Sequence, residues 1–412
     1  MGERTWAGIK TKPIGNRNMK IYGVIGANYG DEGKGMVSAN IRHYSDPAKT
    51  VTVLTNGGAQ RGHTVDAKDG SKFVFHHLGS SQKGDPNITF CPASYIINPL
   101  VLMQDLDKAE QSWDTLPEVY IDGYCLVTTP YDMMANQVEE IMAGDWKWGS
   151  TGMGIWHTKH RSTKIMMDAN MLFDFAAGHV GYGEIANTLG RIQNYWLSEY
   201  FRGRDLPEIY QHLFENGNLK ENWIQDVAYL FNERVHQGVP PWGFRSREGI
   251  CDTVIFENAQ GLMLSQERGR NTTPSNTGSA TIKDLISRYG LRPTGYIDMN
   301  YVTRTYLTRH GAGVLPGECP QEFINVEMFD GTNLYNDWQG SLRYGLLDEK
   351  ALMQRVEGDL DVMDNGMNVK ANIIFTHENE APIRITNLCP HDRFVIVGVD
   401  NPYMTEDAGL CK

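Results

Sequence analysis

Short apolar runs rich in β-branched residues, each leading into a glycine-bearing or polar segment and spaced by helical patterns, constrain this 412-residue chain more than any other feature. The runs KIYGVIGAN (20–28), KTVTVLTN (49–56), DTVIFEN (252–258), RPTGYID (292–298), ANIIFTH (371–377) and RFVIVGV (393–399) are the expected strands. Such alternation predicts an α/β fold, a mainly parallel central sheet with flanking helices. In open sheets of this kind ligands bind beyond the carboxyl ends of strands, so the chemistry is expected at those exits. Helical periodicity is clearest over 99–113, 132–142, 185–201 and 222–236, which makes about 165–245 a helical insertion. The insertion carries no glycine-rich motif and reads as a subdomain or dimer surface. Residues 1–18 are polar, lack the apolar core of a signal peptide and read as a flexible extension; 19–412 reads as one large domain.

Charge excludes one class of function. Thirty-eight basic residues against 50 acidic ones leave a net charge of −12, with no long run of either sign, whereas a duplex-binding protein needs a basic face. No nucleic-acid partner is expected. No stretch approaches the length of an apolar membrane span, so no membrane partner is expected either. The cysteines, Cys91, Cys125, Cys251, Cys319, Cys389 and Cys411, are scattered without a CxxC pair, which suits a reducing, cytoplasmic setting (a host's cytoplasm for a viral protein).

The sharpest local signal is GVIGANYGDEGKGM (23–36), where a strand breaks into a loop with glycines around Asp31, Glu32 and Lys34. Glycines let backbone N–H groups approach phosphate oxygens, and a lysine adds a compact positive charge. The loop is not a Walker A motif, which would need glycine at 28 and Ser or Thr at 35, where Asn28 and Gly35 stand. Taken alone, it also fits a plain strand-to-helix turn. A second loop, NGGAQRGHTV (56–65), follows the next strand and presents His63 as a general acid, a phosphate ligand or an exposed loop histidine.

Together the two loops resemble those of the adenylosuccinate synthetase family, which joins aspartate to C6 of a 6-oxopurine nucleotide. Further matches follow in the family's order: FHHLGS (75–80), GSTGMGI (149–155), FENAQG (256–261), TTPSNTGSA (272–280), TRTYLTRHGAGVLPGE (303–318) and, more loosely, WQGSLRYGLLD (338–348). The resemblance implies a P-loop-NTPase-like adenylosuccinate synthetase fold, a homodimer and Mg²⁺ as cofactor. It also implies a purine nucleoside monophosphate, L-aspartate and a nucleoside triphosphate as substrates. The purine 6-oxygen leaves poorly, so the family phosphorylates it and the aspartate amine then displaces phosphate.

By resemblance Asp31 removes the N1 proton and His63 is the general acid, with Lys34 and Gln260 completing the catalytic set. Gly30, Glu32, Gly33, Lys34, Gly35, Gly62, His63 and Thr64 would hold the nucleotide phosphates. Asp31, Gln60, Ser150, Thr151, Asn258, Gln260, Thr273 and Val302 would hold the purine monophosphate. Gln339, Gly340, Ser341 and Arg343 would hold aspartate, and Asp31 with the Gly62 carbonyl would bind the metal. Read from the residues alone, Gln260 also fits a strand-end cap, and Thr151 and Thr273 fit turns.

Departures from the family bear on substrate choice. The KxD pair that reads guanine is absent from FTHENE (375–380), where Glu378 and Asn379 stand, and this favours ATP or dATP over GTP. Ser341 replaces an arginine that reaches aspartate and the 2′-hydroxyl side, Gln60-Arg61 replaces Asn-Ala, and Arg304 and Arg309 are candidate replacement charges. The arginine lent across the family's dimer has no clear match after GSTGMGI, with Arg161 and Lys164 only nearby. These departures resemble a bacteriophage-type branch that acts on dGMP to make N6-succino-2-amino-2′-deoxyadenylate, although that branch carries serine where Asp31 stands. The alternatives are an ordinary synthetase for IMP with GTP, or a non-catalytic nucleotide sensor on the same fold.

Overall fold

The computed structural model describes residues 19–67, 70–238, 251–268, 273–327, 335, 337–364, 366–377, 380 and 394–398. Among them, nine strands form one parallel sheet: β1 (Lys20–Gly26), β2 (Thr50–Leu54), β3 (Ile88–Cys91), β4 (Glu118–Ile121), β5 (His236–Gln237), β6 (Thr253–Gly261), β7 (Ile297–Arg304), β8 (Val369–Thr376) and β9 (Phe394–Gly398). Their order is β9-β8-β7-β1-β6-β2-β3-β4-β5. The chain leaves β1 toward β2 on one side, and β7 later lies on the other, so the order reverses at β1. A crevice at the carboxyl end of β1 is the site such a reversal creates.

Strands buried on both faces read as continuous apolar runs, and β1 is buried from Ile21 through Gly26. Alternate residues serve opposite faces. Ile21 and Ile25 join Val254, Met299, Ile282, Leu285, Leu352 and Val356, the last five supplied by β7, by α9 (Ser279–Arg288) and by α10 (Glu349–Asp364). Tyr22 and Val24 meet Val37 and Ile41 of α1 (Lys34–Tyr44).

The expected strands at 20–28, 49–56, 252–258, 371–377 and 393–399 coincide with β1, β2, β6, β8 and β9 within a few residues. RPTGYID was read as a strand, but Pro293 and Gly295, the latter at φ 100°, make a turn there and β7 starts at Ile297. β7 escapes sequence patterning because Asp298, Asn300, Thr303 and Arg304 interrupt it.

Within the expected insertion lie α5 (Ala169–Ala176), α6 (Tyr182–Asn194), α7 (Glu208–Glu215) and α8 (Gly217–Tyr229), before the chain rejoins the sheet at β5. Single π-turns, Tyr195–Tyr200 and Leu230–Arg234, end α6 and α8 and bring Trp196 and Phe231 inward. Beside them stand α3 (Pro130–Ala143) and α4 (Ile155–Ser162). Arg161, considered for a role across a dimer interface, is fully buried on Asp132 (2.8 Å) and the carbonyls of Val127 and Ile165. An arginine whose donors are spent inside the core cannot serve a partner.

Candidate active site

The loop after β1 closes on its own carboxylate. Gly33, at φ 87°, caps α1 without a side-chain bond, and Glu32 folds back so that Oε1 accepts the amides of Asn28 (3.0 Å) and Gly30 (2.8 Å). Lys34 Nζ pairs with Glu32 Oε2 at 3.1 Å and also donates to the Gly30 carbonyl. Both side chains are buried. An alanine at Gly26 would set Cβ 2.4 Å from Glu32 Oε2 and 2.7 Å from the Gln260 carbonyl. Gly26→Ala is therefore expected to cost about 2 kcal/mol in urea unfolding. Gly183→Ala, in open space on α6, serves as the control and should be neutral or slightly stabilising.

Gln260 faces this loop from the end of β6. The β1–β6 register slips between Val24 and Gly26, and Gln260 takes φ 65°, a left-handed value that is uncommon outside glycine. The bend brings its backbone against Gly30. Thr303 Oγ1 accepts Asn28 Nδ2 at 2.8 Å, and the Val302 carbonyl accepts the amide of Ala27 at 2.8 Å. Asn258 donates to the Thr277 carbonyl at 2.8 Å and accepts from Thr55, while Asn56 reaches the Ala259 carbonyl and Ser275. Thr273 bonds Ser275 in turn, at 3.0 Å, so the 273–277 turn is tied to the ends of β2 and β6.

The histidine loop is anchored by a buried charge cluster. Glu257, on β6, accepts Arg61 Nη2 at 2.7 Å, Ser80 Oγ at 2.6 Å, the Ser80 amide at 3.0 Å and His63 Nδ1. Arg61 Nε also lies 3.2 Å from His63 Nδ1, but a nitrogen whose proton goes to the carboxylate cannot accept a second one, so that contact acts through charge. Burial, and after it the charge of Arg61, push His63 down to about 3. Burial alone would raise Glu257; Arg61 and His63 outweigh it and hold the carboxyl at about 2. His63 is thus a neutral ring with its proton on Nδ1 and a lone pair on Nε2. Next to it, Gly35 packs on His63 and Thr64, and Gly62 is exposed.

The segment after β7 links the remaining groups. Arg304 Nε donates to the Asp31 carbonyl, and His310 Nε2 lies 3.7 Å from the partly exposed Asp31 carboxylate. Gly311 packs on Gly149, and the Ala312 amide donates to the Trp148 carbonyl at 3.1 Å. Ser150 Oγ accepts from Asn136 at 2.8 Å, its amide donates to Glu140, and Thr151 is half-buried beside it. Arg343 Nη1 donates to the carbonyls of Gly311 and Gly313, both at 2.9 Å, while Nε and Nη2 grip Glu318. The geometry gathers Asp31, Ser150 and Arg343 around one stretch of chain.

A sequence model of the adenylosuccinate synthetase family matches residues 23–359, most of the chain and every loop just described except the 375–380 segment. The chain belongs to this family. Its members are C–N bond-forming ligases that use purine nucleotides. Adenylosuccinate synthetase from Lactobacillus helveticus is 26% identical over 82% of this chain and 75% of its own length. The enzyme from Desulforapulum autotrophicum is 28% identical over 87% of this chain and 81% of its own. Among solved structures, the fully ligated adenylosuccinate synthetase of Plasmodium falciparum superposes with a TM-score of 0.59 at 19% identity, covering 86% of this chain and 76% of that one. Cyanophage S-2L succinoaminodeoxyadenylate synthetase (PurZ), bound to dGMP and dATP, gives 0.52 at 14% identity, covering 89% and 87%.

Within the adenylosuccinate synthetase frame some expected side chains are differently employed. Glu32 was grouped with the phosphate-binding residues, but its carboxylate takes the loop's own amides, and like charge bars it from ligating phosphate. Arg343 reaches a substrate carboxylate only by exchanging Glu318 for it. Gln60 has both amide atoms buried without a hydrogen-bond partner among the described residues. Gln339 and Gly340 precede the exposed Ser341 on the loop before Arg343, with Gly340 at φ 77°. Glu378 and Asn379 lie outside the described residues, as do Cys389 and Cys411. Sequence reasoning gave no role to Glu257, whose signal was an acidic residue inside the apolar strand TVIFENAQG, nor to Tyr306 and His310 within TRTYLTRHGAGVLPGE and Glu380 within FTHENE.

Proposed function

We propose that this ligase phosphorylates O6 of dGMP from ATP or dATP and joins L-aspartate to C6, giving N6-succino-2-amino-2′-deoxyadenylate, nucleoside diphosphate and phosphate. The observation that carries the donor choice is Glu380. In the segment where the family reads guanine there is no KxD pair, and the Glu380 carboxylate is turned inward onto the Tyr306 hydroxyl. Held by Tyr306, it is turned away from the place where a KxD aspartate would accept from the N1 and N2 hydrogens of a guanine. Exposed Ser341, in place of an arginine, leaves the sugar's 2′ side without a cation that would favour ribose. The fold shared with the dGMP-bound cyanophage protein is compatible with this reading.

In this reading Asp31 takes the N1 proton as charge moves onto O6, and Gln260 orients the oxygen. His63, neutral while the site is empty of anions, gains a second proton when phosphates bring negative charge to its Nε2 side. Lys34 and the amides of Gly33 and Gly35 face the transferring group, and Thr64, Gln60, Ser150, Thr151, Asn258, Thr273 and Val302 border the nucleotides. Among the described residues there is no cluster of three metal-binding side chains. Mg²⁺ needs none here, because it is usually held by one or two protein oxygens, such as the Asp31 carboxylate and Gly62 carbonyl, together with substrate phosphates. When bound, Mg²⁺ would neutralise charge on those phosphates. Homodimerisation and a cytoplasmic setting belong to the same proposal.

A second reading, IMP with GTP, is favoured by Asp31, which the dGMP-using branch replaces by serine. Phosphate release with Mg²⁺ and L-aspartate, crossing IMP, dIMP, GMP and dGMP against ATP, dATP and GTP, separates the two. Turnover confined to dGMP with an adenine donor is expected. Faster turnover of IMP with GTP would assign the second reading, and nucleotide binding without turnover of any pair would leave a sensor.

A further inference from the structure

The chain that follows β8 is fastened to the Asp31 loop at two separate points. At the first, Thr376 Oγ1 donates to the Glu32 carbonyl at 2.9 Å, and a side chain at Gly33 would meet Thr376. His377 then turns the chain through φ 60°, an uncommon value for a non-glycine residue, and its carbonyl accepts Thr305 Oγ1 at 3.4 Å. At the second point a directed series of donors runs through the core. Arg304 Nε donates to the Asp31 carbonyl and Nη1 to the Tyr306 hydroxyl at 2.8 Å; that hydroxyl donates to the Glu380 carboxylate. Asn325 Nδ2 holds the Glu380 carbonyl at 2.7 Å. Arg304 is 4% exposed and Tyr306 3%, so water competes little for the bond between them.

We propose that Arg304, Tyr306 and Glu380 are positioning residues that set the backbone of the Asp31 loop from Thr376, which ends β8, and Glu380 of the segment after it. The proposal rests on the functional reading above, in which that segment meets the donor's base and Asp31 meets the acceptor. Occupancy at one end of the series then fixes the carbonyl at the other, and a change of donor base alters the chemical step as well as donor affinity. Tyr306 is the junction, since its one hydroxyl both receives the arginine and gives to the carboxylate.

Tyr306→Phe, Glu380→Ala and Glu380→Gln test this with two readouts: steady-state kinetics at saturating donor, and hydrogen exchange of the 27–33 amides without nucleotide. Tyr306→Phe and Glu380→Ala should lower kcat about tenfold with acceptor KM changed less than about twofold. Both should speed exchange in 27–33 while that of β2 and β3 stays as in the parent, which shows that the variants are folded. Glu380→Gln should resemble the parent, because its amide oxygen accepts the same hydrogen bond. Parental kcat and exchange in Tyr306→Phe, or a Glu380→Gln protein as impaired as Glu380→Ala, would overturn the proposal. If the parent turns over no substrate pair, the functional reading fails by itself, and exchange still decides whether the series positions the loop.

Discussion

Asp31→Asn should lower kcat about 1,000-fold while nucleotide KM values stay within a few-fold, as followed by phosphate release. Asparagine keeps the size of the side chain and can still accept hydrogen bonds, but it cannot take a proton. Asp31 sits on a loop whose backbone is held from outside, by Arg304 on its own carbonyl and by Thr376 on that of Glu32. Its carboxylate, by contrast, is partly exposed and has His310 at 3.7 Å as a neighbour. A substitution confined to the carboxylate therefore leaves the loop in place, and the loss reads on chemistry rather than on folding. A kcat within about tenfold of the parent would remove Asp31 from the proton-transfer step. A rise in KM at unchanged kcat would make it a binding residue.

The phosphate loop and histidine loop were legible in the sequence because each is local. Glycines at fixed offsets, next to a β-branched run, state their own backbone requirement, and β1, β2 and β6 could be found beside them. The groups that couple those loops were not legible, for they come from positions far apart in the chain. Glu257 meets Arg61 and His63 across about 195 residues, as the separations of 196 and 194 state. Arg304 meets Asp31 across 273. Nothing in the local pattern around Glu380 says that its carboxylate turns inward rather than toward a ligand. β7 was misplaced for a related reason: its polar residues are satisfied by neighbouring strands, such as Asn372 on Asn300 at 3.0 Å, and a pattern search reads such residues as loop.

Arg61→Ala should be the most destabilising single change near the site, about 3–5 kcal/mol in urea unfolding, because it leaves the Glu257 carboxylate buried without its main counter-charge. The cost is one of desolvation, so replacing both partners, as in Arg61→Met with Glu257→Leu, should recover part of it. Recovery is incomplete because the Ser80 amide and hydroxyl and His63 Nδ1 would then lose their acceptor. The same cluster gives an acid signature. His63 titrates near 3 in the folded protein against 6.5 unfolded, so between those values the unfolded chain binds a proton that the folded one refuses, and stability falls as pH drops below about 6.5. Glu257, near 2 folded against 4.5 unfolded, adds a further loss below about 4.5. Urea midpoints from pH 7.5 to 4.5 should therefore decline, and in His63→Asn the decline between pH 6.5 and 5 should be shallower. An equal slope in the two proteins would mean that another group carries the acid sensitivity, and that the imidazole is not held neutral by Arg61 and burial.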